Sequence, residues 1–113
     1  MTRFSLHVLP QYFEAIKNGS KFWEGRCFEG KLTEIEIGDS LLFNEILEME
    51  VAEIARFPTF LEMLRNCGLG NCLPGITNIS EGVKIYRSFP GYAEKETEFG
   101  VIAFCLKKFV SVQ

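Results

Sequence analysis

The sequence is short of the residues that most often announce chemistry. It holds one histidine, His7, and one tryptophan, Trp23, in 113 residues. A closed zinc site built on a single histidine would have to recruit Cys27, Cys67, Cys72 or Cys105 from distant parts of the chain. Cys67 and Cys72 have four residues between them, but no second close-spaced Cys or His pair follows. No metal and no other cofactor is therefore expected. Cys27 and Cys105 fall inside strand patterns, where a thiol behaves as a small apolar group. Free thiols in a reducing compartment are the expectation.

Long hydrophobic runs are also missing. Nothing approaches the roughly 20 apolar residues of a membrane span. The opening Met1-Thr2-Arg3-Phe4-Ser5-Leu6-His7 lacks the apolar segment and small-residue cleavage site of a signal peptide. A cytoplasmic protein without a membrane partner is expected. Basic charge is not in excess either, the net charge being −3. A protein that grips a long phosphate backbone usually carries a basic face. Any nucleic-acid role must rest on a local patch or a small pocket, with Lys21, Arg26, Lys84 and Arg87 as candidate cations and Arg3, Lys107 and Lys108 nearer the termini.

What the chain does have is apolar bulk: 47% hydrophobic residues, including 11 phenylalanines. That is ample for one core, and the length fits one domain over residues 1–113. No repeat, linker or low-complexity tract interrupts it. Alternation predicts strands over Arg3–Leu9, Phe22–Phe28, Leu41–Asn44, Val51–Phe57 and Phe99–Val110. On the fourth of these, Val51, Glu53 and Ala55 would oppose Ala52, Ile54 and Arg56, and Glu45–Glu50 would span a hairpin. A helix is expected over Pro10–Asn18, with Tyr12, Phe13 and Ile16 on its core side. A second begins after Thr59, which with Glu62 makes a capping box. A third covers Glu81–Ser88 with Ser80 as cap, and Tyr92–Glu98 can add a further turn. Gly68–Gly75 reads as a loop. About five strands and three helices in this order make an α+β fold.

The densest stretch is Gly19-Ser20-Lys21-Phe22-Trp23-Glu24-Gly25-Arg26. Gly19 suits the end of the preceding helix, because only glycine takes the left-handed conformation cheaply. In the strand that follows, Phe22, Glu24, Arg26 and Phe28 share one face, while Trp23, Gly25 and Cys27 share the other and form the core side. Glu24 and Arg26 then lie about 7 Å apart, within reach of one ligand. Lys21 has the wrong parity. It joins them only if it still belongs to the turn, or if a bulge shifts the register.

The spacing Gly-x-Lys-x-x-Glu-x-Arg resembles the signature of the ASCH domains, small relatives of the PUA RNA-binding fold. The likeness continues in Ile37-Gly38-Asp39-Ser40-Leu41-Leu42-Phe43, Phe60–Leu64, Leu73-Pro74-Gly75, Glu81–Tyr86 and Gly100–Phe104. It runs from about His7 to Lys107, and the ordered set of blocks carries it more than the octet does. The resemblance implies a PUA-like pseudo-β-barrel flanked by helices. It also implies a cleft for RNA or a modified nucleoside.

Three functions follow as alternatives. In a binding domain, Lys21 and Arg26 meet phosphate or carbonyl oxygens and Glu24 a base or ribose donor, with His7, Lys84, Tyr86 and Tyr92 as further ligand contacts. Trp23, Tyr86 and Tyr92 are rings on which a base can stack, core packing being the alternative for Trp23. In a hydrolase acting on an acylated nucleoside or on RNA, Lys21 is the base and Glu24 or Glu81 its partner. Some small ASCH proteins resemble this in removing the acetyl group from acetylcytidine with a Lys–Thr–Glu set. Lys21 matches their lysine, but Glu24 stands where their threonine stands, so the acyl-accepting hydroxyl is missing there. A bare salt-bridge cluster of Lys21, Glu24 and Arg26 explains the same residues without chemistry. Lastly, the acidic Glu45–Glu53 stretch could serve a protein-interaction module.

Overall fold

The structure, a computed structural model, describes residues 1–109. The chain forms β1 (Arg3–Leu6), α1 (Pro10–Asn18), β2 (Trp23–Cys27), a 3-10 turn (Gly30–Glu34), β3 (Ser40–Phe43) and β4 (Leu47–Phe57). Then come α2 (Phe60–Cys67), α3 (Leu69–Cys72), α4 (Ile79–Ser88), α5 (Tyr92–Phe99) and β5 (Val101–Lys107). The strands make one sheet in the order β1-β3-β4-β5-β2. Among the described residues only the β1–β3 pair is parallel. The sheet curls into a half-barrel, the PUA-like pseudo-barrel of an α+β fold. Its two edge strands approach each other, so that Arg26 at the end of β2 reaches the carbonyl of His7, just beyond β1.

Both faces of the sheet are covered. The inner face holds Leu41, Phe43, Met49, Val51, Ile102, Phe104 and Leu106, closed by Ile16 of α1. The outer face meets α2 and α4 through Phe60, Met63, Leu64 and Tyr86, packed on Val101 and Ala103 of β5. Alternation along β5 is therefore apolar on both sides, as a doubly covered strand requires. Burying large side chains this way contributes about 1.5–3 kcal/mol each against the cost of ordering the chain.

Several expectations are corrected by particular residues. The β3–β4 hairpin turns at Asn44-Glu45, both at positive φ (52° and 63°), so Leu47–Glu50 is already strand. A bulge between Val51 and Glu53 breaks the alternation expected in β4. It puts Val51 on the same inner face as Ile54, opposite Leu106 and Phe104, where simple parity sets them apart. The α4 cap is Asn78 rather than Ser80; its side chain accepts from the N–H groups of Ser80 and Glu81. Gly68–Gly75 is not all loop, because Leu69–Cys72 makes a helical turn. Tyr92–Phe99 is a full helix, bringing the α-helices to five among the described residues. The last strand is shorter than expected at both ends, and Val110, its expected terminus, lies outside the described residues.

The capping box at Thr59 forms as expected, its Oγ1 accepting from Glu62 N–H at 3.2 Å. Asp39, buried behind Gly38, accepts from the N–H groups of Thr2 and Glu36, which hold its carboxyl below the usual carboxylate range. The Gly-Asp turn is thus a clamp between β1 and β3.

Candidate functional site

The site is built around β2, an edge strand of the sheet. Lys21 lies in the turn before the strand, its own N–H donating to Ala15 O at the end of α1. That resolves the parity problem: being off the strand, its side chain folds back beside Glu24. The Lys21 ammonium is buried at 2% exposure and meets three acceptors: Trp23 O at 2.7 Å, Cys72 O at 2.7 Å and Glu24 Oε1 at 3.1 Å. It also lies 5.7 Å from the centre of the Tyr12 ring. The Cys72 carbonyl comes from α3, the helical turn that four residues of sequence are too few to reveal by period.

Glu24 is equally enclosed, at 5% exposure. Its other oxygen accepts from Arg26 Nε at 2.7 Å, and Arg26 Nη2 donates to His7 O at 2.7 Å. Burial disfavours the charged carboxylate, but Lys21 and Arg26 outweigh it and hold Glu24 below the usual carboxylate range. Glu24 likewise keeps the Arg26 guanidinium firmly protonated despite burial. Gly25 between them faces the opposite way, where a Cβ would lie 2.4 Å from Met63 Sδ, so glycine lets α2 pack directly on the strand. Both faces of β2 are therefore covered, and the Glu24 face is not an open surface.

The three charged groups line a cavity of about 330 Å³. Its other walls are the His7–Leu9 segment and four aromatic rings, Tyr12, Tyr86, Phe89 and Tyr92. These rings are held by a stack. Phe60 lies between Tyr86 (centroids 4.6 Å apart) and Tyr92 (5.8 Å), while Phe89 meets Tyr92 edge-on at 5.4 Å. The Tyr86 hydroxyl is buried and has no hydrogen-bond partner among the described residues. Burial, with Cys72 and Glu24 nearby, pushes its pKa well up, so it remains a donor. Tyr12 is raised too, by burial and by Glu24.

Asn44 sets the opposite wall. Its side chain accepts from Val8 N–H at 2.8 Å and donates to Val8 O at 3.0 Å, pinning the strap that carries His7. His7, Tyr86 and Tyr92 thus border the same cavity as Lys21, Glu24 and Arg26. Glu81 and Lys84 do not. On α4 the inward positions are Gly82 and Tyr86, with Phe89 just past its end, and helical geometry turns Glu81 and Lys84 outward to solvent. Tyr12, read as core from the sequence, is instead a cavity wall. Phe89 and Leu73 also line it, and nothing in their local sequence marked them.

Elsewhere, the acidic β4 stretch is largely matched by cations: Glu48 pairs with Arg3 at 3.9 Å and Glu50 with Lys107 at 3.3 Å. Arg87 pairs with Glu96. The four cysteines are unpaired. Among the described residues, no group of three or more His, Cys, Asp or Glu side chains is arranged to hold a metal ion. No described helix is long and apolar enough to cross a membrane.

Comparison with known proteins agrees with this architecture. The sequence model of the ASCH domain matches residues 6–109. No curated protein matches the chain. Among solved structures, the crystal structure of hypothetical protein PH0355 is similar at a TM-score of 0.90 and 36% identity, covering 96% of this chain and 100% of its own. The solution structure of protein PF0455 from Pyrococcus furiosus is similar at a TM-score of 0.81 and 33% identity, covering 97% of this chain and 100% of its own.

Proposed function

We propose, starting from the fact that this chain belongs to the ASCH domain family, that its aromatic cavity binds a nucleobase, offered by a modified nucleoside or by an unpaired RNA residue. The observation that carries this reading is a cavity walled by four aromatic rings, one of them Tyr86, whose buried hydroxyl has no hydrogen-bond partner among the described residues. Buried polar groups rarely stay unpaired, so an orphan donor at a cavity wall calls for an acceptor from outside. A flat ring with carbonyl and ring-nitrogen acceptors satisfies both features, stacking on the aromatics and accepting the hydroxyl. A volume near 330 Å³ is at the small end of ligand sites and suits one nucleoside rather than several stacked bases.

Hydrolysis is less well supported. A lysine base needs a free lone pair, and the Lys21 ammonium is already engaged by two carbonyls and a carboxylate. In binding, Lys21 and Glu24 hold Arg26 and the cavity wall in position, while Arg26 presents its unengaged Nη1 to the ligand. The pairing of Glu48 and Glu50 with cations likewise weighs against an acidic protein-docking surface.

Calorimetric titration with the ribonucleosides, N4-acetylcytidine and short single-stranded RNAs tests the reading. The best ligand should bind on the order of tenfold more weakly to Tyr86→Phe, the loss of one buried hydrogen bond. Without ligand, this variant should melt no lower than the parent, because it deletes an unpaired polar group. Full affinity in both Tyr86→Phe and Arg26→Ala, or no binding by any member of the panel, overturns it. Release of acetate from N4-acetylcytidine would replace binding by turnover.

A further inference from the structure

Arg26 and Tyr92 are walls of two hollows, not one. Beyond them, along the seam between β2 and β1, lies a second hollow of about 280 Å³. Its charged lining is Arg26, Lys31, Lys95 and Glu29, three cations to one carboxylate in a chain whose net charge is −3. The cations retain bonding capacity. Arg26 uses Nε and Nη2 on Glu24 and His7, while Nη1 has no partner among the described residues. Among the described residues, Lys31 Nζ hydrogen-bonds only to the Ser5 carbonyl, at 2.5 Å. Lys95 is tied to Glu29 at 2.9 Å, an exposed pair that a stronger anion can share at little cost.

We propose that this second hollow is a phosphate subsite. Resting on the nucleobase reading above, it makes the ligand a nucleotide: the base enters the aromatic cavity, the sugar passes Tyr92, and the phosphate meets Arg26, Lys31 and Lys95. The Arg26 guanidinium, already oriented by Glu24 and His7, is pre-organised to offer Nη1 to a phosphate oxygen, and two lysines add point charges around it. The arrangement also explains how a net-acidic protein recognises a polyanion. It neutralises one phosphate locally, without an excess of cations over the chain as a whole.

Each ribonucleoside, N4-acetylcytidine, and their 5′- and 3′-monophosphates would be titrated at low and high salt into the parent and the Lys31→Gln/Lys95→Gln double variant. The best nucleoside's 5′- or 3′-monophosphate should bind on the order of tenfold more tightly than the nucleoside, with the advantage shrinking as salt rises. The double variant should lose that advantage and keep nucleoside affinity, since neither lysine borders the aromatic cavity. Nucleoside binding with no gain from phosphate, or a gain surviving in the double variant, overturns the subsite and leaves the base cavity standing. Failure of every nucleoside and monophosphate to bind overturns both. A short RNA with the preferred residue at its end, compared with the free monophosphate, distinguishes an RNA source from a free nucleotide.

Discussion

Lys21 Nζ and Glu24 Oε1 stand 3.1 Å apart with almost no exposure to water, the lysine held in the turn after α1 and the glutamate on β2. Each charge is tolerable only because the other is there. Together with Arg26 they join α1, α3, β2 and the strap after β1 at one point.

Removing one partner alone should therefore cost far more than removing both. Lys21→Met or Glu24→Gln singly should lower stability by roughly 3–5 kcal/mol, because a buried charge loses its counterpart. The double variant should lose clearly less than the sum. Urea unfolding of the four proteins gives the coupling directly; additive losses would mean that the pair does not interact as described.

The pair also predicts a pH dependence. The folded-state pKa of Glu24 is depressed below the ordinary glutamate value of 4.5. Its contribution is therefore fully present above that value and is lost as the pH falls through the depressed one. Thermal melts from neutral to strongly acid pH should show the parent falling below about pH 4.5. Glu24→Gln should be flatter over the same range, and equal slopes would contradict the assignment.

Asn44 is predicted to control the cavity wall rather than the core. Asn44→Gly keeps the positive φ without strain and removes only the two bonds to Val8. The expected cost is about 1–3 kcal/mol. Hydrogen exchange should quicken at the Val8 amide while amides of β5 remain protected; an unchanged Val8 rate would show that the strap is held otherwise.

Glu96 is another buried carboxylate that ties elements together, away from the charged trio. Buried at 5% exposure on α5, it accepts from the Phe60 N–H at 2.7 Å and pairs with Arg87, joining three helices. Glu96→Ala should destabilise by about 1–3 kcal/mol, because the first N–H of α2 loses its acceptor. The base-binding affinity of the folded protein should not change, since Glu96 does not border the cavity.

Much of this was legible because it is local. Alternation marks Ile102, Phe104 and Leu106, Gly19 marks the end of α1, and Thr59 with Glu62 marks the start of α2. The octet around Lys21 picked out the charged centre of the site. What stayed hidden depended on neighbours distant in sequence. The Ala52 bulge follows from how β4 sits on β5, the Leu69–Cys72 turn is too short for a period, and Tyr12 reads as core because an amphipathic ring suits either role. Glu81 looked functional at a helix start, yet the roll of α4 turns it to solvent.

By itself, then, the chain's order of residues determined most of the elements and the charged trio, since periodicity, caps and turn chemistry act over a few residues. Only the tertiary structure decided that Lys21 folds back onto Glu24, that four rings converge on them, and that Arg26 divides two hollows. Those outcomes depend on the curl of the sheet bringing β1 and β2 together, and no local pattern encodes a distance between strands some twenty residues apart in sequence.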